Sequence, residues 1–266
     1  MITREKVDEY IDKIPPANEA LRLTLHALAV GDLTKAAKIA KTDLALNGYL
    51  KGIVNKPIYG FRNEVNDVAQ IFGILGVEAS HQAVYNYMIQ LLSPAKWHLF
   101  KLNRHSFADL QDKLTLGWVK ILKHLNIKDQ DLYNAITLLP ASILVAEALF
   151  NERVDDVKLL RSVKNLDYNT ILERLCGMNL FAICEAIALK WEMPVQIAHI
   201  VHLSSGLSEL EASEQELLLG RWMHLLLFYE LSQPLFIEAG LNDFIDFHPE
   251  FIADVYEEFT SLMEIA

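Results

Sequence analysis

Leu110, Leu114, Trp118, Ile121, Leu122 and Leu125 recur every three or four residues, a spacing that gathers them on one face of a helix. The same period returns along most of the chain. Leu33, Ala36, Ala37 and Ala40 form a short inner stripe behind Asp32, whose carboxylate can accept hydrogen bonds from the free amides that open a helix. Leu46, Leu50, Ile53 and Val54 repeat the pattern behind Thr42 and Asp43, either of which can cap. Val65, Val68, Ala69, Phe72 and Leu75 form another stripe, stopped by Gly76; Val84, Met88 and Leu91 carry a further helix to Ser93-Pro94. No Asn-Gly or Asp-Gly pair stands between alternating apolar residues as a hairpin would need. These patterns predict an all-α fold.

Later boundaries are equally explicit. Leu132, Ile136 and Leu139 lead into a helix that Pro140 must kink or restart, because proline has no amide to donate. Gly177 and Pro194 punctuate the next stretch, and Ser213-Glu214-Gln215-Glu216 is a capping box that places a helix start just before Leu217. His248-Pro249 opens a last helix holding Phe251, Ile252, Val255 and Phe259. Pro94 to Phe107 mixes Lys96, Lys101 and Arg104 with Trp97 and Phe100, which predicts a packed connection between two sub-lobes. The expectation is one domain over 1–266, with an N-terminal lobe of about five helices (1–95) and a C-terminal helical bundle (105–266).

Composition removes several function classes. A net charge of −11 is the wrong sign for gripping a phosphate backbone, so no nucleic-acid partner is expected. The greasiest run, Leu217 to Leu231, is broken by Arg221, His224 and Glu230, so no membrane span is expected. Met1-Ile2-Thr3-Arg4-Glu5-Lys6 lacks the apolar run of a secretory leader, which predicts a cytoplasmic protein. Cys176 and Cys184 lie eight apart on one apparent helix, about 12 Å along its axis, too far for a disulfide. They are expected to be reduced core thiols. The sequence contains no G-x-S-x-G, Walker or G-x-G-x-x-G pattern.

Two constellations remain. His199 and His202 share a helical face and could chelate a metal; with no Asp or Glu beside them, they are expected to be ordinary helix histidines. His224, on an apolar helix, is expected to be a satisfied core or interface residue, and His124 suits a helix C-terminus. The second is the loop Asn55-Lys56-Pro57-Ile58-Tyr59-Gly60-Phe61 between two helices. In one reading it is structural: Asn55 ties down nearby backbone, Pro57 fixes φ and Gly60 takes a positive φ. In the other, Asn55, Tyr59 and Arg62 edge a groove for a ligand or partner.

Four stretches together resemble the HDOD domain, a regulatory relative of the HD-type metal-dependent phosphohydrolases. They are Ile14-Pro15-Pro16 with Leu21 to Leu28, Asp43-Leu44-Ala45-Leu46, Asn55 to Gly60 with the helix ending at Gly76, and Trp191-Glu192-Met193-Pro194. Leu44 departs from the family's proline. The resemblance implies an HD-like C-terminal bundle and a role in bacterial signal transduction, often tied to two-component or cyclic-dinucleotide circuits. In relatives that keep the metal centre, a His-Asp pair follows Leu-Leu; here Leu138-Leu139 is followed by Pro140-Ala141, and the chain has no His-Asp dipeptide. The places expected for the other ligands read Leu110-Gln111, Leu180 and Ser204-Ser205. His and carboxylate ligands are what would hold a divalent ion and lower the pKa of its water. The expectation is therefore no metal, no cofactor and no catalysis, with a protein partner in a signalling pathway. The alternatives are a phosphohydrolase with rearranged ligands, and a nucleotide or small-ligand sensor without turnover.

Overall fold

The computed structural model describes residues 2–13, 19–56, 60–191, 193–207 and 211–265. Among these, every regular element is helical: α1 (Arg4–Lys13), α2 (Glu19–Ala29), α3 (Leu33–Ala40), α4 (Leu44–Val54), α5 (Val68–Leu91), α6 (Arg104–His124), α7 (Gln130–Asn134) and α8 (Leu138–Asn151). There follow α9 (Val154–Lys164), α10 (Tyr168–Cys176), α11 (Leu180–Lys190), α12 (Val195–Leu203), α13 (Glu214–Leu231), α14 (Pro234–Ala239), α15 (Pro249–Ile252) and α16 (Tyr256–Met263). The fold is all-α. The chain forms two compact units, residues 15–92 and residues 1–14 with 93–266.

In the smaller unit α2 and α3 pack on each other, and α2, α3 and α4 pack on α5. The core is mainly aliphatic, with Leu21, Leu28, Leu46, Leu50 and Ile71 fully buried beside the ring of Phe72. Its helices start where capping side chains stand: Asp32 Oδ1 accepts from the Lys35 amide, and Asp43 Oδ1 accepts from the amides of Ala45 and Leu46. Each such cap satisfies donors that have no partner inside the helix, worth about 1 kcal/mol. Gly76 does break α5 (φ 76°, ψ 178°), but the helix resumes at once. Only glycine tolerates that backbone without strain.

The larger unit is a bundle in which α8 packs on α11, α11 on α12, α12 on α13, and α13 on α6. The α6 stripe faces inward as its spacing predicts, with Phe107, Leu110, Leu114, Trp118, Ile121 and Leu122 buried. The Trp118 indole donates to the Leu132 carbonyl at 2.7 Å, which satisfies its only donor and fastens α6 to the segment after it. Pro140 falls in the first turn of α8, behind a 3-10 turn at Ala135–Thr137. Proline, with no amide to donate, thus stands where helical pairing changes from the 3-10 turn to α8, as its chemistry predicts.

Two expectations are corrected. Residues 2–13 do not join the N-terminal lobe: α1 packs on α8 and α11, with Val7 and Ile11 buried. Its Tyr10 hydroxyl donates to Glu152 at 2.6 Å, and Lys6 pairs with the same carboxylate at 3.3 Å. These contacts hold the Glu152 carboxyl below its ordinary pKa, the Tyr10 hydroxyl contributing most. The last helix is not continuous either. The Val255 amide turns back to the Ile252 carbonyl (3.0 Å), an i to i+3 closure that separates α15 from α16.

Candidate functional site

The elements that would carry an HD-type metal centre pack against one another in the larger unit: α6 and α8 on each other and on the 3-10 turn, α11 on α8, and α12 on α11. What they bring is mostly apolar and covered. Leu110, Ala141 and Leu180 are fully buried, and Pro140 and Gln111 are buried with them. Nearby hydroxyls are spent on local carbonyls: Ser142 donates to Leu139 (2.7 Å) and Ser204 to Val201 (2.6 Å). No group of three or more His, Cys, Asp or Glu able to hold a metal ion occurs among the described residues.

The histidines on α12 do have carboxylates beside them, contrary to the sequence expectation. His199 Nδ1 lies 3.2 Å from Glu216 of α13, and His202 Nδ1 lies 3.1 Å from Glu185 of α11. Packing, not local sequence, supplies both acids, so neither is visible from the neighbours of the histidines along the chain. The pairs diverge, one tying α12 to α13 and the other tying it to α11, so they do not converge on a shared ion. The Glu216 carboxyl is held below its ordinary pKa, first by Ser213 in the capping box and then by His199. His124 Nε2 meets Glu258 at 2.6 Å, so α16 is the partner of a residue read only as a helix end.

His224 is fully buried and satisfied on both sides. Its Nδ1 lies 2.9 Å from the Ser204 carbonyl, which can only accept, so Nδ1 carries the proton. Its Nε2 then accepts from the His248 amide at 3.4 Å. Burial pushes the His224 pKa down and keeps the ring neutral. Gly206 makes this approach feasible. Its φ is +80°, and a Cβ there would stand 2.5 Å from His248 Cδ2 and 2.9 Å from His224 Cε1.

In the N-terminal loop, Asn55 closes the turn. Its amide nitrogen donates to the carbonyls of Lys51 and Val65 (both 3.0 Å), while its oxygen accepts from the Val65 amide at 2.8 Å. Gly60 has φ +65°. Arg62 is exposed, and Pro57, Ile58 and Tyr59 lie outside the described residues.

Sequence inspection missed Glu147. This carboxylate, buried in α8, accepts the backbone amides of His98, Leu99 (3.3 Å) and Phe100 (3.2 Å). It therefore pins the segment entering the larger unit. The signal was present: a lone acid inside Leu144-Val145-Ala146-Glu147-Ala148-Leu149-Phe150, where only a paired charge can stay. The Tyr168 hydroxyl adds a bond to the Leu99 carbonyl at 3.4 Å, and its ring packs with Phe100, Phe150 and Phe244.

The family model for the HDOD domain matches residues 16–205, well over half of the chain. This chain belongs to the HDOD family. Two solved structures share its fold. An HDOD domain protein of unknown function from Geobacter sulfurreducens aligns at 13% identity with a TM-score of 0.62, covering 97% of this chain and 95% of its own. A protein provisionally named a metal-dependent phosphohydrolase, from Shewanella amazonensis SB2B, aligns at 13% identity with a TM-score of 0.55, covering 97% of this chain and 98% of its own. No curated protein matches by sequence. The HDOD motifs fall at helix boundaries here. Asp43 caps α4, Trp191 ends α11, and Pro194 precedes α12; Pro15 and Pro16 lie outside the described residues.

The cysteines of this HDOD chain are built as core. Cys184 is fully buried and its pKa is pushed up to about 12 by desolvation; burial also raises that of Cys176. The thiolate is the reactive form, so both thiols are expected to stay unlabelled by DTNB in the native protein. In guanidinium both should react, giving two equivalents per chain. Fast labelling of either one in buffer would contradict this assignment.

Proposed function

We propose that this HDOD protein is a non-catalytic regulator in bacterial signal transduction, acting by binding a partner protein in the cytoplasm. One observation carries the reading. Where relatives place metal ligands, this bundle buries Leu110, Pro140, Ala141 and Leu180, none of which can ligate through its side chain. A cation brought there would lose its water and gain no charged oxygen or imidazole nitrogen. The chain's net charge of −11 suits a partner with basic patches, steering encounter more than setting affinity. The apolar span Asp131–Asn151 is long enough to cross a membrane, but 94% of its most apolar stretch is buried, the condition of a core helix, which supports the absence of a membrane partner.

A second reading is a metal-dependent phosphohydrolase with rearranged ligands, favoured by the name given to the Shewanella neighbour. The two readings separate in one preparation. Protein purified with manganese, iron or zinc present is expected to hold far less than one metal per chain by elemental analysis. It is also expected to leave bis-p-nitrophenyl phosphate intact. A stoichiometric ion, with hydrolysis that a chelator abolishes, would overturn the proposal. Capture of a specific protein from the native cell, lost in Tyr59→Ala with the helical CD unchanged, would place the N-terminal loop at the contact.

A further inference from the structure

We infer that the larger unit binds a neutral aromatic small molecule bearing one N–H or O–H donor, in a pocket between α13 and α16. This pocket, of about 350 Å³, is lined by residues between Leu225 and Ile265, all beyond the segment that matches the HDOD family. Ligand sites span about 300–1,000 Å³ and are mostly apolar with a few placed polar groups. Aromatic rings make the walls, from Phe228 on α13, Phe247 in the loop before α15, and Tyr256 and Phe259 on α16.

Three observations select the ligand. First, the lining contains no Asp, Glu, Lys, Arg or His, although the chain carries a net charge of −11. A charged ligand would shed water with no counter-charge to meet it, so the occupant is neutral. Second, the rings are arranged as a ligand ring would need. Phe247 is 41% exposed and Tyr256 45% exposed. Phe247 stands 4.8 Å from Phe228 and edge-on to Tyr256 at 6.3 Å, which leaves ring faces at the mouth for a third aromatic group. Third, Gln233 offers one oriented acceptor. Its Nε2 donates to the Tyr229 carbonyl at 3.1 Å, which leaves Oε1 as the atom able to accept, and Gln233 lines the pocket. A ring-borne N–H or O–H matches that oxygen. None of this depends on whether the chain hydrolyses anything.

The test is calorimetric titration of the purified full chain with indole, then with N-methylindole, which keeps the ring and loses the donor. Saturable one-to-one binding of indole is expected, with N-methylindole weaker by roughly fivefold, the worth of one hydrogen bond. Gln233→Met is expected to erase the difference between the two probes. Thr260→Trp, which adds a ring inside the pocket from the outer helix, is expected to abolish binding of both. If Thr260→Trp melts early, Ser232→Trp fills the same space from the opposite wall. Failure of indole to saturate, equal binding of both probes, or binding that survives in the filled variants would each overturn the inference.

Discussion

Ala141→Asp is expected to unfold the larger unit, lowering its stability by at least about 4 kcal/mol in urea melts followed by CD. Ala141 has no exposed surface and sits in the first turn of α8, a helix that packs on α11. A carboxylate placed there would lose its hydration without gaining a cation. The side chain would either stay charged at high cost or take up a proton and remain a buried polar group without partners. Ala141→Ser, smaller and uncharged, is the control and is expected to cost about 1–2 kcal/mol. If Ala141→Asp folds normally, the position has polar access, and the case for a displaced metal centre grows stronger.

The second large effect is expected at Glu147. Glu147→Ala removes the acceptor for three backbone amides at once, those of His98, Leu99 and Phe100. Each buried donor left without a partner costs about 1–3 kcal/mol, and partial water entry reduces the sum, so a total near 3–5 kcal/mol is expected. For a domain of this size that corresponds to a fall in Tm of about 10 °C. Glu147→Gln keeps one acceptor oxygen but turns an NH2 group toward donors, so it should fall between Ala and wild type. Hydrogen exchange locates the effect: the amides of residues 98–100 are expected to lose protection first. Unchanged protection there in Glu147→Ala would show that the segment is held by its rings alone.

Most of the helices were legible because their causes are local. Asp32, Asp43 and the Ser213-Glu216 box cap the helices whose starts they announce, and the α6 stripe is buried as its spacing requires. What escaped is tertiary. No local pattern announces that α1 packs on α8 and α11 instead of the N-terminal helices. Glu185 and Glu216 reach His202 and His199 from other helices, so the α12 pair could not be judged from its own neighbours. The break between α15 and α16 also lay hidden, since Ile252, Val255 and Phe259 keep a helical spacing across it. At the candidate site the apolar identities of Leu110, Pro140, Ala141 and Leu180 could be read letter by letter. The roles of Glu147 and the neutral His224 could not, because they arise only when distant backbone arrives.

The docking of α1 bears on how the chain is made. Synthesis releases α1 before the bundle it joins, and its binding surface on α8 and α11 emerges only after more than a hundred further residues. Meanwhile residues 15–92 contain their own core and can compact while the ribosome is still translating the bundle. Helix α1 must therefore wait without its partners, and its attachment closes a large loop. On this topology residues 15–92 can fold before α1 does, although α1 precedes them in the chain.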